Sequence, residues 1–358
     1  MSENKVKAGR VRPHGRTGET LAIAEQPPCV AVLIPAMNAS ATIARAVRSA
    51  LAEPETAEVV VVDDGSKDDT ADVAAACDDG TGRLKVIRQA NAGPSAATNV
   101  AIEASTAPYL CNLDADDFFV PGRFRVIFEQ AGTDWDLAAD KLLLGREGAE
   151  DGPYERWRGD DPLPPVLSLA DFVEGNISRA SRPRTELGYM QPLKRRAFLD
   201  EHGLRFREDL WLGEDYLMYA ECVARGGVFK TVENHGYIAI QRPTSLSHQH
   251  PPEHLEALMN ADKALAAIPG IPASGRRALA RHQASIKHKW VYRRVLAAKQ
   301  EGRLAQAIAL ATLSGLDVFF YIAAETVRAR RAERAARRAA TRQANWTPAH
   351  ASADKVST

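Results

Sequence analysis

A chain of 358 residues that is 45% hydrophobic, with 46 Lys+Arg against 46 Asp+Glu, carries no net formal charge. Its length predicts two domains or one large α/β domain with appendages, and its mean hydropathy of −0.29 excludes a multi-span membrane protein. Neither the basic surplus expected of a nucleic-acid binder nor the acidic surplus of a solvating chain is present. The zero is a cancellation, however: residues 326–358 hold eight Lys/Arg and two acidic residues, a charge of +6, which leaves −6 on the other 325. Charge divided in this way predicts an acidic, cation-binding body with a basic C-terminal appendage.

Order is expected from Cys29 onward, because residues 1–28 are polar, carry Pro13, Pro27 and Pro28, and lack the apolar core of a secretory signal. Cys29, Cys77, Cys111 and Cys222 are scattered with no C-x-x-C spacing, which predicts reduced thiols and no zinc site. Residues 30–35 form a β-branched apolar run and read as the first strand. Asn38 and Ser40 are candidate caps for a helix in which Ile43, Ala46, Val47, Ala50 and Leu51 share one face. Strands are then expected over 58–62, 84–88 and 109–113, with helices over 68–76 and 93–104 between them. Such alternation predicts right-handed βαβ units, whose ligands bind outside the carboxyl ends of the strands.

Residues 146–184 are polar and broken by Pro153, Pro162, Pro164, Pro165 and Pro183, which predicts loops. A helix is expected over 214–225. Beyond about residue 252 the pattern turns rich in Ala, Leu and Arg: Leu255, Leu258, Met259 and Leu265 mark one helix, and Ile286, Trp290, Val291 and Val295 another. Residues 305–324 are fairly apolar, but Gln306 and Asp317 make a poor membrane span. Arg330, Arg331, Arg334, Arg337 and Arg338 then share one helical face, with Phe319, Phe320 and Tyr321 nearby. That segment reads as a solvated helix or as a peripheral contact with anionic lipid.

The chemistry gathers after the strands. Asp63-Asp64-Gly65-Ser66 follows the second and Asp114-Ala115-Asp116-Asp117 the fourth. Each cluster alone reads as a strand-ending turn. At one rim, though, like charges repel unless something positive lies between them, which predicts a divalent cation on hard oxygen ligands. No G-x-x-x-x-G-K-[ST] occurs, and no G-x-G-x-x-G follows the first strand. A nucleotide whose diphosphate is neutralised by a metal on Asp116 therefore fits better than one cradled by glycine amides.

These residues carry a resemblance. Residues 32–38 (VLIPAMN), 60–70 (VVVDDGSKDDT), 91–99 (NAGPSAATN) and 113–117 (LDADD) resemble, in order, the motifs of family 2 glycosyltransferases, strongly over about 30–120 and more loosely to about 250. Within the family the chain is similar to bacterial exopolysaccharide glucosyltransferases of the succinoglycan type. The resemblance implies a GT-A fold, a Rossmann-like mixed sheet flanked by helices, that binds a UDP-sugar and transfers the sugar with inversion. It implies nucleoside contacts for Asp63 and Asp64, a base pocket lined by Pro35 and Ala36, and substrate contacts from Asn91 and Gly93. It gives Asp114 ribose or diphosphate contacts, and Asp116 the Mn²⁺ or Mg²⁺ that bridges the diphosphate. The chain departs from the pattern at Met37, where an aromatic is usual, and at Ala97-Thr98-Asn99, which lacks the Arg of A-R-N. Met37 can still cover a base through its thioether.

Trp211-Leu212-Gly213-Glu214-Asp215 resembles the family's E-D motif, with Trp211 and Glu214 as substrate contacts and Asp215 as the base that deprotonates the acceptor hydroxyl. The alternative is a pair of ordinary first-turn acids favoured by the helix dipole. A helix N-terminus lowers a carboxylate's pKa, whereas burial raises it. Residues 242–248 (RPTSLSH) resemble the segment that closes the donor site, with His248 a candidate metal ligand and Arg242 a candidate diphosphate partner.

The expected organisation is a leader over 1–28, a GT-A domain over 29–250, a helical extension over 251–325 and a basic helical tail over 326–358. The expected acceptor is a saccharide, by resemblance lipid-linked, with no nucleic-acid partner. The expected location is the cytoplasm, peripheral at the inner face of the plasma membrane. Two other readings remain at this stage. A nucleotidyltransferase would share a related sheet, but its T-R-x-x-P-x-T-K signature is absent after the first strand. A non-catalytic protein would bind a partner through the basic tail.

Overall fold

The computed structural model describes residues 29–149, 151–157, 162–177, 187–242, 251–316, 318–324 and 327. Its first third is the expected alternation: β1 (Val30–Ala36), α1 (Ile43–Leu51), β2 (Thr56–Asp64), α2 (Thr70–Ala75), β3 (Leu84–Gln89), α3 (Pro94–Glu103) and β4 (Tyr109–Asn112). The five residues read as one face of α1 are all buried. Alternation also explains why β1 is central: Ala31 and Leu33 point into one apolar cluster, while Val30, Val32 and Ile34 point into a second on the other face. Each of the Val, Leu and Ile side chains contributes about 1.5–3 kcal/mol when fully buried.

The later elements are shorter. They run β5 (Phe118–Phe119), α4 (Arg123–Ala131), β6 (Leu137–Ala139), β7 (Leu142–Arg146), β8 (Glu155–Arg156), β9 (Val166–Leu167) and α5 (Leu169–Gly175). After a 3₁₀ turn at Leu187–Tyr189 come β10 (Leu193–Arg195), α6 (Arg196–Glu201), α7 (Glu214–Ala224), β11 (Phe229–Thr231) and β12 (Tyr237–Gln241). Among the described residues the strands form an eight-stranded mixed sheet, ordered β3-β2-β1-β4-β10-β6-β11-β9, and a four-stranded sheet, ordered β5-β12-β7-β8. β1 pairs in parallel with both β2 and β4, and β10 runs antiparallel to β4. The chain thus builds outward from β1 to β3 and returns to β4 on the other side, so the ends of β1 and β4 form a topological switch point.

The helices α8 (Pro252–Ala266), α9 (Ala273–Gln300) and α10 (Leu304–Leu313) follow. Leu255, Leu258 and Leu265 of α8 and Leu279 and Ile286 of α9 belong to the same core as α5, α7 and one face of the sheet. Asp262 locks this docking: Tyr216 Oη of α7 donates to its Oδ1 at 2.9 Å, and His282 Nδ1 of α9 lies 2.8 Å from its Oδ2. Among the described residues no helix is long and apolar enough to cross a membrane. The basic run from Arg330 onward and His248 lie outside the described residues.

Candidate functional site

The end of β2 is a scaffold of hydrogen bonds. Asp64 is buried, and both its oxygens are occupied: Oδ1 accepts from Gln89 Nε2 and the Ala92 amide, each at 2.8 Å, and Oδ2 accepts from the Gly93 amide at 2.8 Å. Asp64 therefore holds the β3–α3 loop. Gly65, at φ +78°, is needed where that loop comes close, since a Cβ there would stand 2.9 Å from the Asn91 amide nitrogen. Asp63 accepts one bond, from the Ser66 amide at 3.0 Å, and keeps acceptor capacity for a ligand.

The predicted helix caps turn out to serve this scaffold. Thr42 stands at the α1 N-cap without a side-chain cap bond. Asn38 instead receives the Lys67 amide and donates its own to Ser66 Oγ, while the Ser40 amide donates to Asp68. The loop after β1 is thereby fastened to the loop after β2, because both must turn at the same sheet edge. Pro35 and Ala36 end β1 opposite Val62 and Asp63. Exposed Met37 receives a bond from Asn91 Nδ2 at 2.9 Å, which joins the departing position to an expected substrate contact. At the position of the missing Arg, Thr98 returns its hydroxyl to the Pro94 carbonyl, and Asn99 holds the Phe206 backbone by both its amide nitrogen and its carbonyl oxygen.

The end of β4 is organised differently. Asp117 is buried and accepts from Tyr237 Oη at 2.8 Å and the Ile240 amide at 2.7 Å; burial, then the charge of Asp116, pushes its pKa up to about 8. Tyr237 in turn accepts the Asp114 amide at 3.2 Å. Asp114 is open to solvent but crowded, and enclosure, followed by the charges of Asp117, Asp116, Asp215 and Glu214, raises its pKa well above the ordinary carboxylate range. The Asp116 carboxylate forms an ion pair with Arg242, and its carbonyl accepts from Arg45 Nη2 at 2.8 Å.

The acidic pair of the E-D motif faces the same place. Gly213 takes the left-handed conformation at φ +76° and starts α7, which sets Glu214 and Asp215 in the first turn. Here burial outweighs the helix dipole. Glu214 is pushed up to about 7 by burial and then by Asp215, and Asp215 is raised by burial against the opposing influence of Lys194. Asp215 Oδ2 accepts from Gln191 Nε2 at 3.3 Å, and Oδ1 lies 3.1 Å from Tyr219 Oη, one helical turn further on. Trp211 is half-exposed, stacks on the His254 ring with centroids 6.2 Å apart, and lies over Gly93.

The structure therefore joins Asp114, Asp116, Asp117, Glu214 and Asp215 into one electrostatic cluster, while Asp63 and Asp64 belong to the neighbouring scaffold. Among the described residues no three His, Cys, Asp or Glu side chains converge as a metal-ligand set. The hard oxygen donors at this edge are of the type a divalent cation takes, with the Asp116 carboxylate paired to Arg242. Sequence reasoning missed Gln191, Lys194, Tyr219, Tyr237 and any role for Asp117. Only Tyr219 carries a local signal, its i+4 spacing from Asp215.

A family model described as Glycosyl transferase family 2 matches residues 31–199. The chain is 46% identical over 292 residues, 80% of this chain and 84% of the relative, to succinoglycan biosynthesis protein ExoU of Rhizobium meliloti (strain 1021). It is 37% identical over 241 residues, 66% of this chain and 68% of the relative, to ExoO of the same organism. Among solved structures, S. aureus TarS 1-349 in complex with UDP-GlcNAc aligns with a TM-score of 0.54 at 18% identity, covering 82% of this chain and 84% of that one. The mannosyltransferase PcManGT from Pyrobaculum calidifontis, in complex with GDP-Man and Mn²⁺, aligns at 0.53 and 14% identity, covering 85% and 81%. At these identities the two structures speak for the GT-A fold alone.

Proposed function

The chain belongs to glycosyltransferase family 2, and on that premise we propose that it transfers a sugar, by our reading glucose, from a UDP-sugar to a hydroxyl of a saccharide acceptor with inversion. The likeness to the succinoglycan biosynthesis proteins ExoU and ExoO supports a role in exopolysaccharide synthesis, and a lipid-linked saccharide is our reading of the acceptor. The observation that carries the reading is that Asp114, at the end of β4, lies within electrostatic reach of both Asp116 and, at the α7 N-terminus, Asp215. A base and an anion-compensating centre are what an inverting transfer needs on either side of the anomeric carbon.

In this reading Asp63, Pro35, Ala36 and Met37 receive the nucleoside, and Asp64 keeps the Asn91–Gly93 loop in place beside it. Asp116, with Asp114 next to it, would hold Mn²⁺ or Mg²⁺, which when bound neutralises charge on the departing diphosphate. Arg242 already pairs with Asp116, so its guanidinium stands where a diphosphate would arrive. Asp215 accepts the proton of the attacking hydroxyl; burial, by raising its proton affinity, makes it a better base than a solvated aspartate. Glu214 and Trp211 contact the sugars, the indole offering an apolar face to a pyranose ring. Peripheral contact with anionic lipid is supported by the exposed Leu304, Ile308, Leu313, Leu316 and Phe320, which lie just before the basic run in sequence.

The test is UDP release from a panel of UDP-sugars with Mn²⁺, combined with calorimetric UDP binding. Asp215→Asn is expected to lower turnover about 10²–10⁴-fold with UDP affinity retained, and Asp116→Ala to abolish the Mn²⁺-dependent part. Failure to turn over any UDP-sugar, or unchanged turnover in both variants, would overturn the reading.

A further inference from the structure

Beneath this catalytic edge lies a charge that none of the motifs explains. Lys194, in the middle of β10, is fully buried. Its Nζ donates to Asn112 Oδ1 at 3.2 Å and to the Pro192 carbonyl at 3.3 Å, both neutral acceptors, and stands 5.7 Å from the centre of the Tyr219 ring. Taking an ammonium out of water costs roughly several kcal/mol unless a negative charge compensates. Burial accordingly lowers the Lys194 pKa.

The groups facing the amine narrow the source of compensation to one. Electrostatically it meets Cys111, Asp215, Cys222 and Arg123. Burial raises both thiols, Cys222 to about 12, so they stay protonated and uncharged. Arg123 is a cation and is already paired with Asp140. Asp215 is the anion that remains. Viewed from Asp215, the surroundings are two neutral hydrogen-bonding groups, Gln191 and Tyr219, the carboxyl groups of Glu214 and Asp114, and Lys194 as the cation. Gln191 is itself held, since Arg123 Nη2 donates to its carbonyl at 2.6 Å and its Oε1 lies 3.0 Å from Tyr219 Oη.

We propose that Lys194 is a positioning residue for the transfer: its buried ammonium, acting with Gln191 and Tyr219, holds the Asp215 carboxylate in place and ionised as the group that takes the acceptor's proton. The proposal rests on the reading of Asp215 as the base. Lys194 touches no reacting atom in it. The lysine offsets the burial that favours the protonated form of Asp215, so that removing its charge would let the carboxyl keep its proton to higher pH. A purely structural lysine would only tie β10 to the end of β4 through Asn112.

Two substitutions separate these roles. Lys194→Gln keeps an N–H donor for Asn112 and Pro192 without the charge, and Lys194→Met keeps the length and removes both. The first measurement is the pH profile of UDP release from UDP-glucose with Mn²⁺ between pH 5 and 9. In both variants the rising limb is expected to move up by about one pH unit or more, with UDP affinity unchanged. The second needs no turnover: thermal unfolding against pH for wild type, Lys194→Gln, Asp215→Asn and the double variant. A carboxylate whose folded pKa is raised loses stability as pH climbs through that value, so Lys194→Gln should lose more than wild type between pH 5 and 8. Because Lys194 itself titrates, the deciding comparison is between the two lysine-free proteins: the loss seen in Lys194→Gln should vanish when Asp215→Asn is added.

An unmoved rising limb, or an extra slope that persists without Asp215, overturns the proposal and leaves a structural lysine. Should Asp215→Asn retain full turnover, the base reading falls and this proposal with it. If Asp215→Asn is inactive while the limb of Lys194→Gln and Lys194→Met stays in place, the lysine proposal falls alone.

Discussion

Two neighbouring edges of one sheet use the same side chain in opposite ways. At the end of β2, Asp64 is surrounded by N–H donors from Gln89, Ala92 and Gly93, and its charge fixes a loop. At the ends of β4 and β10 and the start of α7, burial raises the proton affinity of Asp114, Glu214 and Asp215, and neighbouring carboxylates raise that of Asp114 and Glu214 further. Donors arranged around a carboxylate consume its capacity to react, whereas carboxylates gathered without enough donors retain it. In the proposed reaction the first edge is the mould for the nucleotide, and the second would hold the cation and take the acceptor's proton.

The largest effect should come from the mould. Asp64→Ala leaves the buried Gly93 N–H and the partly buried Ala92 N–H and Gln89 amide without their acceptor, and an unsatisfied buried donor costs about 1–3 kcal/mol. A loss of about 3 kcal/mol in urea unfolding is expected, with UDP affinity falling at least tenfold as the Asn91–Gly93 loop loosens. Asp64→Asn, with one acceptor oxygen left, should lose about half as much. A cost under 1 kcal/mol for the alanine variant would mean that the hydrogen bonds at this edge are incidental.

A smaller effect should appear where the two edges touch. Gly93 has φ +96° and ψ 163°, a region that only glycine occupies without strain, and a Cβ there would meet the Trp211 ring at 3.3 Å. Gly93→Ala is expected to cost about 1–3 kcal/mol, mostly as backbone strain. Repeating it in a Trp211→Ala background decides how far the edges are coupled. A cost that persists assigns it to the loop alone, and a cost that disappears shows that the indole transmits strain from the mould to the start of α7.

How much of this is legible in the sequence follows the range of the interactions. The alternation from β1 to β4 is visible because each element is specified by its own apolar period, and all five residues read onto one face of α1 are buried there. The acidic motifs are visible because they sit at strand ends. The small sheet is not, since Phe118–Phe119 pairs with Tyr237–Ile238 across more than a hundred residues and strands of two to five residues carry no period of their own. Asn38 and Ser40 look like caps because short polar residues precede a helix, yet tertiary contact with the β2 loop claims them. Lys194 stands in a run of basic residues, Lys194-Arg195-Arg196, that reads as surface. Only the packing of β10 between β4 and β6 reveals that its middle member lies under the site.

The smallest effect is also the one that most directly opposes the two edges, because the same carboxylate-to-amide change should act with opposite sign in each. Glu214 in the folded protein titrates at about 7 instead of 4.5, first through burial and then through the charge of Asp215. Below about pH 4.5 the group is protonated in folded and unfolded chains alike. As pH rises toward 7 the unfolded chain ionises while the folded one resists, so stability is progressively lost across that window. Glu214→Gln cannot ionise and escapes the loss. In chelated, donor-free protein it should be close to neutral at pH 5 and more stable than wild type by about 1 kcal/mol at pH 8, whereas Asp64→Asn should be destabilised at both. A Glu214→Gln gain that does not depend on pH would trace to packing and not to charge. A loss at pH 8 would mean that Glu214, like Asp64, is held by donors, and the distinction between the two edges would no longer stand.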